Sequence, residues 1–257
     1  MKISIITITY NSAQTVEDTI KTVVMQDYED IEYLIIDGKS KDRTLDIVSK
    51  YKNNIAKVVS EKDKGLYDAL NKGIAHSTGD VIGMLHSDDL YAHEKVISKV
   101  MQKFKDDPFL EGVYADLVFV SRKDVNKPMR VWESGEYEDG AFLKGWMPPH
   151  PTFFVRKEVY EKFGGFNLDL KLSADYELML RLIHKNGIKI GYLNDTIVKM
   201  RMGGVSNVSI FIKLKANLED SLAWKLNGLK PGFATTLMKP LKKIKQYFKR
   251  VYATIFL

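Results

Sequence analysis

The chain contains no cysteine, which excludes disulfides and every zinc site built on thiolates and suits a reducing cytoplasm. It also lacks any uninterrupted apolar run of the roughly 18 to 20 residues that a membrane-spanning helix requires. Its 7 prolines are scattered and no internal repeat is present, so neither a repeat array nor a low-complexity chain fits the whole. The first strand-like run follows directly on Met1, leaving no room for a charged region, an apolar core and a cleavage site; secretion by a signal peptide is therefore not expected. Acidic residues are absent from one region: none follows Asp220, whereas Lys225, Lys230, Lys239, Lys242, Lys243, Lys245, Lys249 and Arg250 do. Since the whole chain carries +6 and this tail +8, residues 1–220 carry −2. The basicity belongs to the tail, which argues against a nucleic-acid-binding core.

What is present is enough for one substantial core, with 45% hydrophobic residues in 257. Residues 2–9 are β-branched almost throughout and predict a strand. Tyr10-Asn-Ser12 then turns, and Ser12 or Asn11 is placed to cap a helix whose apolar positions Val16, Ile20, Val23 and Val24 recur at helical spacing. A strand at 31–36, a helix to about Tyr51 and a strand at 55–60 follow. Strand, helix, strand, helix, strand is the pattern of a parallel sheet with crossover helices. Asp37 closes the second strand, where α/β nucleotide-binding folds place an acid against ribose hydroxyls, and Gly38 permits close backbone approach. Asp42 is expected to cap the next helix. A further helix starting near Gly65 carries Asp68 and Asn71 on one face and Leu66, Leu70 and Ile74 on the other.

The stretch Val81-Ile-Gly-Met-Leu-His-Ser-Asp-Asp-Leu90 is a short buried strand that stops at paired carboxylates. Ligands of open α/β sheets bind beyond the carboxyl ends of strands, so Ser87, Asp88 and Asp89 are expected at the mouth of a crevice. Adjacent carboxylates repel unless neutralised, and hard divalent ions take one or two carboxylates together with phosphate oxygens.

Five motifs in order, Thr7-Ile-Thr-Tyr-Asn11, Asp37-Gly-Lys-Ser-Lys-Asp42, Asp63-Lys-Gly-Leu-Tyr-Asp-Ala-Leu-Asn-Lys-Gly73, Thr78-Gly-Asp80 and Ser87-Asp-Asp89, resemble those of family 2 glycosyltransferases. The bacterial surface-polysaccharide enzymes are the nearest in type. The resemblance spans roughly residues 1 to 205. It implies the GT-A nucleotide-diphospho-sugar transferase fold, an α/β architecture with a Rossmann-like, mostly parallel sheet. Thr9 and Tyr10 would flank the nucleobase, and Asp37 would hold base or ribose. Asp63, Tyr67 and Asp68 would line the nucleotide and donor sugar, with Ser87 beside them. Asp88 and Asp89 would bind Mn²⁺ or Mg²⁺, with Asp89 favoured as the direct ligand.

In the acceptor half, a helix is expected over 93–104 and strands over 112–120, 127–136, 152–155, 187–193 and 197–202. Lys144-Gly-Trp-Met-Pro-Pro-His-Pro151 cannot be regular structure, because its three prolines remove donors and fix the backbone. There Trp146 suits a sugar platform and His150 a polar contact, the alternative being a packed connector. Leu172-Ser-Ala-Asp-Tyr-Glu-Leu-Met-Leu-Arg-Leu182 reads as a helix with Ser173 as its cap and Asp175 in its first turn, where the helix dipole favours an ionised carboxylate. The resemblance assigns Asp175 as catalytic base, with Glu177 and Arg181 as candidates for orienting base or acceptor. Where related enzymes often supply a histidine metal ligand, this chain has Arg201, a residue able to pair with a diphosphate.

Residues 1–206 are thus expected to form the transferase domain, with a nucleotide-sugar-binding half (1–104) and an acceptor half (105–206). Residues 207–257 are expected to be helical. Phe211, Leu214, Leu218, Leu222 and Leu226 form an apolar stripe, and the basic amphipathic segment 233–257 suits the anionic inner leaflet of a membrane. The expected activity is inverting transfer of a hexosyl or N-acetylhexosaminyl group from a nucleotide-diphosphate sugar, such as a UDP-sugar, to a carbohydrate hydroxyl. The acceptor would be lipid-linked, and the enzyme peripheral on the cytoplasmic face of the membrane. The competing expectations are an inactive nucleotide-sugar-binding scaffold of the same fold, and a nucleotidyltransferase. The latter would want a glycine-rich phosphate loop where Tyr10-Asn-Ser12 stands.

Overall fold

The computed structural model describes residues 1–203 and 210–231. The glycine-rich loop beyond Gly203, the first residues of the helix expected from 207 and the basic segment 233–257 lie outside the described residues.

Strand β1 (Ile3–Thr9) pairs in parallel with β2 (Ile31–Asp37) and β4 (Val81–Met84), and β2 in parallel with β3 (Lys57–Ser60). Ile3 and Ile5 pack with Tyr33 and Ile35 on one face, while Ile6 and Ile8 pack with Leu34 and Ile36 on the other. A strand covered on both faces has no use for alternation, which is why the sequence here is almost uniformly apolar. Helices α1 (Val16–Val24) and α2 (Thr44–Ser49) cover one face, and α3 (Leu66–His76) covers the other.

The expected caps of α1 are used otherwise. Ser12 accepts the Thr15 and Val16 N–H groups through its carbonyl at 3.0 and 2.9 Å. Its hydroxyl meets that of Ser87 at 2.8 Å, and the Asn11 side chain accepts from Lys41 N–H at 2.9 Å. These side chains tie loops together rather than ending a helix. Asp42 stands where expected, accepting the Thr44 N–H at 3.0 Å at the start of α2.

The second half contributes β5 (Asp89–Tyr91), α4 (Val96–Asp106), β6 (Gly112–Val120), β7 (Pro128–Trp132), β8 (Phe154–Arg156), α5 (Lys157–Phe163), α6 (Ala174–Met179), β9 (Ile190–Arg201) and α7 (Ile210–Leu226). Among the described residues the sheet runs β3-β2-β1-β4-β8-β6-β9-β5, with β7 added to β6. The nucleotide half is parallel throughout, whereas β8, β5 and β7 bring antiparallel pairs. The two strands expected at 187–193 and 197–202 form one, because the register with β6 jumps from Ala115↔Leu193 to Asp116↔Thr196. Asn194 and Asp195 bulge out at that jump, and Asp195 pairs with Lys99 and His93.

The structure decides between the two readings of Trp146. Trp146 is packed among Tyr114, Tyr137 and Phe142, and its indole N–H donates to Ser134 O at 2.9 Å. It is a connector, not an open sugar platform. In α7 the described part of the apolar stripe faces out, with Leu218 71% exposed and Leu222 and Leu226 also exposed. Ala223, Trp224 and Asn227 are buried in its place.

Candidate active site

The carboxyl ends of β1, β2 and β4 lie side by side at one edge of the sheet, and their loops are latched to one another. Gly38 N–H donates to Thr9 O at 2.8 Å, Ser12 N–H to the Thr44 hydroxyl at 2.7 Å, and Asn11 N–H to the Ser40 hydroxyl at 2.8 Å. Asn11 and Lys39 both adopt positive φ, at 50° and 64°, a conformation few non-glycine residues take except where neighbours enforce it. Tyr10 stands 63% exposed at the rim. A Cβ on Gly38 would collide with the Asp63 carboxylate and crowd Tyr10, so this glycine brings Tyr10, Gly38 and Asp63 into one corner.

Asp37 lies beneath that corner, fully buried. It accepts hydrogen bonds from the Ser40 hydroxyl at 2.5 Å, the Ser60 hydroxyl at 2.6 Å, the Ser40 N–H at 3.0 Å and the Thr9 hydroxyl at 3.0 Å. Burial works to raise its pKa, but these hydrogen bonds outweigh burial and hold it below the usual carboxylate range. Thr9 and Asp37 therefore support the corner of Tyr10, Gly38 and Asp63 from underneath. Asp63 and Asp68 both close the turn before α3, accepting Gly65 N–H at 3.0 Å and Lys64 N–H at 2.9 Å respectively.

The paired carboxylates divide sharply. Asp88 keeps a third of its side chain exposed and has the Arg122 guanidinium 3.7 Å away. Asp89 begins β5, is 1% exposed, and neither of its oxygens has a hydrogen-bond partner. Burial, then the neighbouring Asp88 charge, pushes its pKa well above the usual range against the pull of Arg201. Of the adjacent pair, Asp88 presents the more open carboxylate, whereas the sequence favoured the buried Asp89 as the direct metal ligand. Among the described residues no group of three or more acids or histidines forms a ready-made metal cage. One half-open carboxylate is nonetheless a fitting donor set for Mg²⁺ or Mn²⁺, which complete their coordination with substrate phosphates and water.

Arg201 is also corrected. It is buried, with its guanidinium on Asp18 at 2.5 Å and on the Asp88 carbonyl at 2.9 Å. It fixes the backbone of the acidic loop, while Arg122 is the cation beside the open carboxylate. Sequence reasoning missed Arg122, since an arginine in a polar turn after β6 carries no signal of its own.

Across the crevice, Tyr67 donates to the Asp175 carboxylate at 3.2 Å and stacks on Phe166 with ring centroids 5.5 Å apart. Asn71 fastens Phe166 at both backbone groups, accepting its N–H at 2.8 Å and donating to its carbonyl at 2.9 Å. This explains the amide that helical amphipathicity left unexplained. Asp175 occupies the first turn of α6 and Ser173 stands at its N-cap position, but the Ser173 hydroxyl donates to Ala216 O at 3.1 Å instead of accepting from the helix. Glu219 of α7 does the equivalent work from outside: one carboxylate oxygen accepts the N–H groups of Lys171, Leu172 and Ser173 at 3.0, 2.7 and 3.1 Å. Trp224 donates to the Tyr176 hydroxyl at 3.0 Å and Asn227 to Glu177 at 2.9 Å. Glu177 and Arg181 are paired internally at 2.9 Å, and Arg181 gathers the carbonyls of Phe163, Gly164 and Gly165. Both residues hold the turn beside Asp175 rather than facing a substrate.

A nucleotide corner, an open carboxylate and a tyrosine-held aspartate on one α/β crevice invite comparison with known proteins. Residues 4–164 match the model of Glycosyl transferase family 2. The chain belongs to that family. An uncharacterised glycosyltransferase of Mycobacterium tuberculosis is 32% identical over 181 residues, covering 70% of this chain and 68% of the relative. A PGL/p-HBAD biosynthesis glycosyltransferase of Mycobacterium bovis is 25% identical over 211 residues, 80% of each chain. Among solved structures, Staphylococcus aureus TarS 1-349 in complex with UDP aligns with a TM-score of 0.66 at 19% identity, covering 87% of this chain and 65% of that one. The mannosyltransferase PcManGT from Pyrobaculum calidifontis, in complex with GDP-Man and Mn²⁺, aligns at 0.66 and 18% identity, covering 94% and 68%. The protein is thus a glycosyltransferase with the GT-A architecture.

Proposed function

We propose that this glycosyltransferase moves a sugar from a nucleotide-diphosphate donor to a carbohydrate hydroxyl with inversion at the anomeric carbon. The observation that carries the reading is convergence: Asp88 after β4 and the Tyr67-held Asp175 at the start of α6, 87 residues apart in sequence, both lie close enough to His86 for their charges to act on it. The nucleotide lies in the corner of Tyr10, Gly38 and Asp63, and its diphosphate runs towards Ser87 and Asp88. Asp175 takes the proton of the acceptor hydroxyl as that oxygen bonds to the anomeric carbon. The bond from that carbon to the diphosphate oxygen breaks, and the nucleoside diphosphate leaves with its electron pair. Tyr67, donating to Asp175, fixes where its carboxylate points. A Mg²⁺ or Mn²⁺ ion held by Asp88 would supply positive charge for the departing diphosphate.

The acceptor we favour is a lipid-linked oligosaccharide, met at the inner leaflet of the cell membrane. The outward stripe of Leu218, Leu222 and Leu226 supports this, since it leads towards an acid-free segment rich in lysine. Removing residues 233–257 should release the protein from anionic liposomes in a sedimentation assay without changing donor binding. A truncated protein that still pelleted would refute the anchor.

The direct test is thermal stabilisation by UDP, UDP-GlcNAc, GDP and GDP-mannose, each with Mn²⁺, Mg²⁺ or EDTA. A ligand present at 100 times its Kd stabilises the native state by about 2.7 kcal/mol, which is several degrees of Tm. One nucleotide giving a metal-dependent shift supports the reading; no shift with any of them would defeat it.

A further inference from the structure

His86 and His150 are not used by the reading above, and they occupy the ground between its two ends. Their ring centroids are 5.7 Å apart, and His150 meets Phe166 edge-on at 5.6 Å. Phe166 stacks on Tyr67, whose hydroxyl reaches Asp175. A continuous aromatic floor therefore runs from two residues before Asp88 to the carboxylate of Asp175. The position of His150 on it is fixed. Pro149 and Pro151 flank it, and the Thr152 hydroxyl bonds the carbonyls of Ala115 at 2.9 Å and Pro149 at 2.8 Å. Yet both ring nitrogens of His150 are buried without a hydrogen-bond partner. Burial keeps that ring neutral, so it holds one N–H and one acceptor, and leaving buried groups of this kind unpaired is costly.

Inverting transfer dictates what passes over this floor. The anomeric carbon must stand between the leaving diphosphate at Asp88 and the acceptor oxygen at Asp175. Resting on the donor reading above, we propose that His86 and His150 form the wall that reads the hydroxyl pattern of the transferred sugar. His86 makes the contact, and His150 behind it gains its missing partner when the sugar is bound. An aromatic floor with interspersed donors and acceptors suits a pyranose, whose C–H face packs on rings while its hydroxyls need directed partners.

His86→Phe and His150→Phe keep a ring and delete the nitrogens, and binding of UDP, UDP-GlcNAc, GDP and GDP-mannose to each variant separates the contributions. Expected is a loss of about tenfold in affinity for the sugar nucleotide that the wild type prefers, in His86→Phe and in the same direction in His150→Phe. Affinity for the matching nucleoside diphosphate stays within twofold. Equal losses for both ligands would mean a structural role and overturn the proposal. Unchanged sugar-nucleotide affinity in both variants would overturn it while leaving the donor reading standing. A wild type that binds none of the four removes the donor reading and the proposal together. Should a phenylalanine variant not fold, His86→Gln and His150→Gln are judged by the same ratio.

Discussion

Asp175→Asn is expected to lower the rate of sugar transfer by about 10²–10⁴-fold, the usual contribution of a positioned general base, while donor affinity stays within several-fold. The asparagine preserves the shape of the side chain and can still accept from the Tyr67 hydroxyl, so the α6 start and its aromatic neighbour stay in place. What disappears is the ability to take a proton. The residue also stands apart from the nucleotide corner, and its loss has no route to the diphosphate contacts. Stopped or radiochemical transfer assays paired with calorimetric donor titration separate the two quantities. A folded Asp175→Asn enzyme that loses the donor, or one that retains its rate, would take Asp175 out of the base role.

The second large effect distinguishes two neighbouring carboxylates. Asp88→Asn should reduce metal-dependent donor affinity and cost about 100-fold or more in rate, the scale seen when a positioned electrostatic partner of a developing charge is removed. Asp89→Asn should behave differently. Asp89 is buried at the start of β5, its main-chain carbonyl bonded to the Thr19 hydroxyl at 2.8 Å, and its side chain faces the interior. An isosteric amide fits there, so metal-dependent binding should fall by less than about threefold, with Tm close to the wild type. Titrating Mn²⁺ against each variant at saturating nucleotide measures this directly. Equal loss in both would make the two acids a joint site, and loss in Asp89→Asn alone would reinstate it as the ligand.

Glu219 illustrates why such assignments need the whole chain. Nothing in its local sequence distinguishes it from any helical glutamate, and it acts 44 residues beyond Asp175. Its partners are three successive backbone N–H groups that would otherwise stand unsatisfied at a helix entrance. Arg122 and His86 are similar cases. Each matters because of what the fold sets beside it, and neither belongs to a periodic pattern.

By itself the sequence determined the parallel nucleotide half, since β1, β2 and β4 are apolar on both faces and end in Thr9, Asp37 and the Ser87-Asp88-Asp89 loop. It also determined the crevice, the family and the placement of Asp175 in the first turn of a helix, because strand ends, turns and ordered motifs are local features. Only the tertiary structure decided which way side chains at those positions face. Asp89 is buried where β5 pairs with β9, while Asp88, just before that strand, stays a third exposed. Arg201 is spent on Asp18 because β9 pairs with β5, the strand that packs against α1. Leu218, Leu222 and Leu226 of α7 point outward because Trp224 and Asn227 find partners in Tyr176 and Glu177. These outcomes depend on contacts between residues far apart in the chain, and hydrophobic spacing carries no record of them.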